Sequence, residues 1–167
     1  HAGIANSAKV KIKWIDASED ELDLEGINAV LVPGGFGERG AKGKLNAVKY
    51  ARENNIPYLG LCLGMQLLTI EFLRNLFNDP EITSEEFDEE CKLNKKKYAI
   101  HFLPGQHKDK EKGGTLRLGS YPCKLVKGTK THSLYKSDII HERHRHRYEF
   151  NNSYREKMEA AGLKVSG

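Results

Sequence analysis

Apolar and polar positions along the 167 residues follow two periods, and the switches between them mark out the elements. Val10-Lys11-Ile12-Lys13-Trp14-Ile15 alternates apolar with charged and predicts a strand with one solvated face. Asp16 to Leu24 is acidic and reads as a loop. Ala29-Val30-Leu31-Val32 is a continuous apolar run and predicts a strand buried on both faces. It stops at a glycine-dense turn, Pro33-Gly34-Gly35-Phe36-Gly37-Glu38-Arg39-Gly40. From Lys44 to Asn54 the apolar residues Leu45, Val48 and Ala51 share one face of a predicted helix, which Asn55-Ile56-Pro57 ends. Tyr58 to Leu61 predicts a second buried strand, and Leu63 to about Phe77 a second amphipathic helix.

Beyond that helix, Asn78 to Leu93 reads as an acidic loop broken at Asp79-Pro80, and Tyr98 to Phe102 as a strand. Pro104 to Gly114 is a polar, lysine-rich loop. Leu116 to Val126 alternates and predicts an antiparallel, half-exposed strand, with another over Arg145 to Phe150. Tyr154 to Ala161 predicts a short helix ending at Gly162, after which Leu163-Lys164-Val165 starts a further strand. The alternation strand, helix, strand, helix in the first half predicts parallel strands joined by right-handed crossovers. Loops at the carboxyl ends of such strands share one edge of the sheet. The Gly34–Gly40 turn and the Cys62 turn are therefore expected to be neighbours.

Candidate chemistry centres on Gly60-Leu61-Cys62-Leu63-Gly64. Glycines two residues to either side of a cysteine, between strand and helix, have the logic of a nucleophile elbow: a sharp turn that needs small neighbours and lifts the nucleophile from the sheet. The thiol would lie at a helix N-terminus, whose free N–H groups favour negative charge. The Leu63 N–H can point at an oxyanion, and Gly35 in the neighbouring turn is a plausible second donor. A buried structural cysteine is the alternative.

Bulk composition narrows the picture. With 30% charged and 38% hydrophobic residues the chain suits one soluble globular domain. No apolar run reaches the length of a membrane helix, and no secretory signal opens the chain. Cys62, Cys91 and Cys123 are spaced as neither a disulfide framework nor a zinc site, which suits a reducing, cytoplasmic setting. The net charge of +4 is mild. Lysine runs at Lys92–Lys97 and Lys108–Lys112 lack interleaved aromatics, so they read as solvated rather than nucleic-acid binding. The remaining basic run, His141-Glu142-Arg143-His144-Arg145-His146-Arg147-Tyr148-Glu149, is the densest polar stretch. On a strand its arginines share one face and His144 and His146 the other. Arginines would repel a metal ion and no carboxylate pair is present, so no metal site is expected. A solvated edge strand and an arginine fork for a substrate carboxylate both remain open.

Four stretches taken together carry a resemblance. They are Val32-Pro33-Gly34-Gly35-Phe36-Gly37 with Arg39-Gly40; Leu59-Gly60-Leu61-Cys62-Leu63-Gly64-Met65-Gln66; Gly113-Gly114-Thr115-Leu116-Arg117-Leu118-Gly119; and Glu142-Arg143-His144-Arg145-His146-Arg147-Tyr148-Glu149. Over nearly its whole length the chain resembles the glutaminase domain of the CTP synthases, which are class I (triad) glutamine amidotransferases. The resemblance implies a three-layer α/β sandwich with a central, mainly parallel sheet and peripheral antiparallel strands. It implies that Cys62 is the nucleophile that forms a glutamyl thioester, with Gly35 and Leu63 as oxyanion donors. Leu63, Gly64, Met65 and Gln66 would line the glutamine pocket. Glu86 would receive the α-amino group, Arg147 the α-carboxylate, and Arg39 would belong to a region tied to activation by GTP. Ammonia would pass to an N-terminal synthetase domain of the same polypeptide that aminates UTP with ATP and Mg2+, in a homotetramer. The glutaminase domain itself would need no cofactor.

One departure stands out. The family's general base lies in a His-Pro-Glu-Phe stretch, with a glutamate to orient it, and no such stretch occurs in this sequence. The chain is therefore expected to be an incomplete copy of one amidotransferase domain over residues 1–167, without the triad His and Glu and without the synthetase half. His141, His144 and His146 belong to the arginine-rich motif and do not replace that base. Alternatives to an enzyme of this kind are a catalytically silent binding or assembly module of the same fold, and an amidotransferase subunit of another synthase.

Overall fold

Two strands and the helices that follow them carry the elbow. In the computed structural model, which describes residues 1–19, 21–88, 90, 92–103 and 117–167, β1 (Val30–Val32) pairs in parallel with β2 (Tyr58–Gly60). Between them runs α2 (Ala41–Glu53), and after β2 comes α3 (Leu63–Phe77); a single turn, α1 (Ala2–Ala5), precedes all of these. α3 is the central post of the fold. Leu63, Leu67, Ile70 and Leu73 are almost wholly buried, in one cluster with Val48 of α2, Ile82, Ile100 and Met158. A second cluster joins Val30 and Val32 to Ala47 and Ala51 across the sheet–helix interface. Arg52 of α2 clamps the two helices by a two-point bond to Glu71 of α3, at 2.8 and 3.0 Å.

A second sheet begins with β3 (Thr83–Ser84), parallel to β4 (Tyr98–Phe102), with β7 (Tyr148–Phe150) antiparallel on the other side of β4. The hairpin of β5 (Arg117–Lys124) and β6 (Ile139–His146) stands apart as its own antiparallel pair, with α4 (Lys130–Tyr135) at its turn. α5 (Arg155–Ala160) closes the chain against α3 through Met158. No helix among the described residues is long and apolar enough to cross a membrane.

Several sequence expectations need correction. Residues 10–15 form no strand; they have no ladder partner, and Trp14 is 89% exposed. β1 is buried on one face only: Val30 and Val32 point into the core while Leu31 is 58% exposed, because α2 and α3 cover a single side of the β1–β2 pair. α2 starts three residues before the predicted Lys44. Its Gly43 fits because a Cβ there would lie 2.2 Å from the Ala17 carbonyl oxygen, so a helix-disfavouring residue marks close packing. The predicted strand over 145–150 is two strands broken at Arg147. β3 lies in a stretch read as loop and α4 in one given no element, and Leu163–Val165 forms no strand. Cys91, the 104–114 loop and the Gly113–Leu116 part of the third motif lie outside the described residues.

Candidate active site

The turn between β2 and α3 holds residue 62 where side chains are rare. Cys62 has φ +53° and ψ −108°, a glycine-like conformation. Other residues are held in such regions at a cost of order 1–3 kcal/mol. Its neighbours must be small. A Cβ on Gly60 would fall 2.4 Å from the Gly64 carbonyl carbon, and one on Gly64 would fall 2.3 Å from the Val32 carbonyl oxygen. The N–H groups of Met65 and Gln66 donate to the Cys62 carbonyl at 3.0 and 3.2 Å, starting the helix at once. The Tyr58 hydroxyl donates to the Gly64 carbonyl at 2.8 Å, and burial pushes its pKa up. The Leu63 N–H, first in α3, has no hydrogen-bond partner among the described residues. It is one of the free donors at the positive end of the helix.

The loop after β1 lies against this turn, as the parallel pairing requires. A Cβ on Gly34 would sit 3.4 Å from the Cys62 Cβ and 4.0 Å from its Sγ; one on Gly35 would sit 3.4 Å from Leu63 Cδ2. Farther along the loop Gly37, at φ +73°, donates its N–H to Glu86 Oε1 at 2.8 Å. Glu86 comes from the turn after β3, whose anchoring to β4 is dense. Its own N–H donates to the Oγ of fully buried Ser84, the Glu85 N–H donates to the Ile100 carbonyl at 2.9 Å, and Glu85 Oε2 accepts from the Phe102 N–H at 2.9 Å.

Arg147 arrives from a third direction, at the break between β6 and β7. Its carbonyl accepts from the Leu103 N–H at 3.0 Å, and the next residue, Tyr148, packs its ring 4.6 Å from that of Phe102. Burial and the nearby Glu86 charge push the Tyr148 hydroxyl up to about 12. His146 meets His144 nitrogen to nitrogen, Nδ1 to Nδ1, at 3.2 Å; burial, then the charges of His144 and Arg117, hold its pKa below the ordinary imidazole value.

These arms meet around one cleft. Gly35 and Phe36 of the first loop, Cys62 and Gln66 of the elbow, Glu86, and the run from Arg145 to Tyr148 line it. Gln66 is only 6% exposed. A cysteine thus shares one cleft with a glutamate and two arginines, residue types suited to a zwitterionic amino acid. Of the residues singled out from the sequence, Gly35, Cys62, Gln66, Glu86 and Arg147 line the cleft. Leu63 is buried beneath Gly35, whereas Gly64 is buried in the elbow, Met65 is half exposed and Arg39 is exposed; none of these four is among the lining residues.

The family model for class-I glutamine amidotransferases matches residues 1–167. The chain belongs to that family. Along its full length this amidotransferase chain is 51% identical to the CTP synthases of Caldanaerobacter subterraneus subsp. tengcongensis and of Carboxydothermus hydrogenoformans, and it spans 31% of the length of each. A solved structure, the glutaminase domain of Trypanosoma brucei CTPS with bound acivicin, is 37% identical with a TM-score of 0.83, covering 98% of this chain and 64% of that one. The likeness shows the amidotransferase fold implied by the sequence motifs. Four lining residues of the amidotransferase cleft had no role assigned from sequence: Phe36, Arg145, His146 and Tyr148. All lie inside the quoted motifs, so the signal was present; what the motifs do not convey is which side of each strand faces the cleft.

Proposed function

We propose that the chain performs the glutamine-hydrolysing half of CTP formation, in a polypeptide whose synthetase part uses the ammonia. The observation that supports this best is the meeting of Cys62, Glu86 and Arg147 in one cleft. Arg147 receives the α-carboxylate of glutamine in the two-point manner a guanidinium allows, and Glu86 receives the α-ammonium. The Cys62 thiolate attacks the side-chain amide carbon. A C–S bond forms and the carbonyl electrons move to oxygen, where the N–H groups of Gly35 and Leu63 hold the charge. As the C–N bond breaks, the nitrogen takes a proton and leaves as ammonia; water then cleaves the glutamyl thioester to glutamate and thiol. Gln66, with Leu63, Gly64 and Met65 of the same turn, shapes the pocket. The proton carrier is the family's His–Glu pair, for which residues 1–167 hold no His-Pro-Glu-Phe stretch.

Relatives three times as long support a synthetase part in the same polypeptide, which aminates UTP with ATP and Mg2+ in a cytoplasmic homotetramer, with GTP acting near Arg39. Labelling with the glutamine analogue acivicin tests the glutaminase assignment. One adduct is expected, at Cys62, and Cys62→Ala abolishes it while Cys91 and Cys123 stay free. Equal reactivity of the three cysteines would instead support a catalytically silent module.

A further inference from the structure

The bond from the Gly37 N–H to Glu86 Oε1 joins residues 49 positions apart and ties the loop after β1 to the turn after β3. Between Pro33 and Gly37 it is the only hydrogen bond among the described residues. The segment that carries Gly35 is thus tied down at one point. The other partner is rigid: Ser84, Ile100 and Phe102 fix the turn on which Glu86 stands. The geometry points to a second task for Glu86, as a positioning residue that sets where the Gly35 N–H stands relative to Cys62. One carboxylate oxygen holds the oxyanion loop, and the other remains to receive an ammonium group. The inference rests on the amidotransferase reading of the cleft and adds to it, because a plain ammonium receptor would have no influence on a substrate without an amino group.

That difference can be measured on the first chemical step. Two chloromethyl ketones serve as probes: 6-chloro-5-oxonorleucine, which has the α-amino group of glutamine, and 6-chloro-5-oxohexanoate, which lacks it. Each alkylates the thiolate, the C–S bond forming as chloride leaves, with the ketone oxygen directed at the oxyanion donors. Limiting rate and half-saturating concentration at Cys62 are read by intact-protein mass spectrometry. Loss of a whole oxyanion donor costs about 10²–10³ in rate, so a donor left in place but loosened should cost about tenfold. Glu86→Ala is therefore expected to slow both reagents about tenfold at saturation. Glu86→Gln still offers an oxygen to the Gly37 N–H. It should slow both limiting rates less than the alanine variant does, while raising the half-saturating concentration of the amino reagent alone. Glu86→Asp keeps the charge but is too short to reach Gly37; it should slow both reagents like the alanine variant, and it decides the matter should the alanine variant not fold. An unchanged limiting rate for the deamino reagent in the alanine and aspartate variants overturns the positioning role and leaves the glutaminase reading standing. Failure of both reagents to label Cys62 in the unsubstituted protein overturns the two together.

Discussion

At Cys62 two demands compete. The backbone, at φ +53° and ψ −108°, is one that glycine adopts without cost, while the chemistry requires a thiol. Removing the thiol separates them. Cys62→Gly should be more stable than Cys62→Ala by about 1 kcal/mol, the lower end of what such a conformation costs a side chain, read from denaturant midpoints at equal slope. Arg147 carries the complementary prediction. Arg147→Ala should weaken glutamine binding by about 1.5–3 kcal/mol, the usual loss for a hydrogen bond to a charged group, and calorimetric titration checks it. Unchanged affinity would remove Arg147 from the pocket. Both residues were legible in the sequence, one through its flanking glycines and the other through the arginine-rich motif. The Glu86–Gly37 bond was not, since a contact across 49 positions leaves no periodicity to read.

Among the elements, α3 was the most legible and is the most deeply held. Leu67 and Ile70 have no exposed surface, so Leu67→Ala should cost about 2–5 kcal/mol of folding stability in a denaturant melt. The segment at residues 10–15 shows why alternation alone can mislead: the pattern specifies two faces but supplies no neighbouring strand, and a strand exists only with a partner for its backbone. β3 was missed for the opposite reason, because two residues are too few to establish a period. The β5–β6 hairpin yields a pH prediction. Burial, His144 and Arg117 hold the folded pKa of His146 below its unfolded value of about 6.5. In that window the unfolded chain binds more protons, so stability falls as the pH drops below about 6.5. Midpoints compared at pH 7.5 and 5.5 should show this loss shrinking in His146→Asn; an equal loss in both proteins would place its source elsewhere.

For the molecule as a whole, the sequence conveyed a parallel α/β core with antiparallel additions, but it also implied that β1 is covered on both sides. The structure leaves Leu31 and Leu59 of the parallel pair more than half exposed on its outer side. Apolar runs record that a residue is fit for burial, whereas coverage depends on what else is at hand. The same applies to chemistry: among the described residues no side chain hydrogen-bonds the Cys62 sulfur. Proton transfer by a positioned group contributes about 10²–10⁴-fold. A polypeptide of residues 1–167 alone should therefore acquire the Cys62 adduct yet turn over glutamine slower by about that factor than one joined to a segment that carries a His-Pro-Glu-Phe stretch, as an ammonia assay would register. Comparable turnover would mean that one of its own histidines moves the proton. Lastly, Arg147 is the single residue between β6 and β7, with its carbonyl bolted to Leu103 and the β5–β6 hairpin immediately before it. The hairpin is in effect a handle with its fulcrum at the backbone of residue 147, so torque on the handle would reach the cleft as a rotation of that one residue.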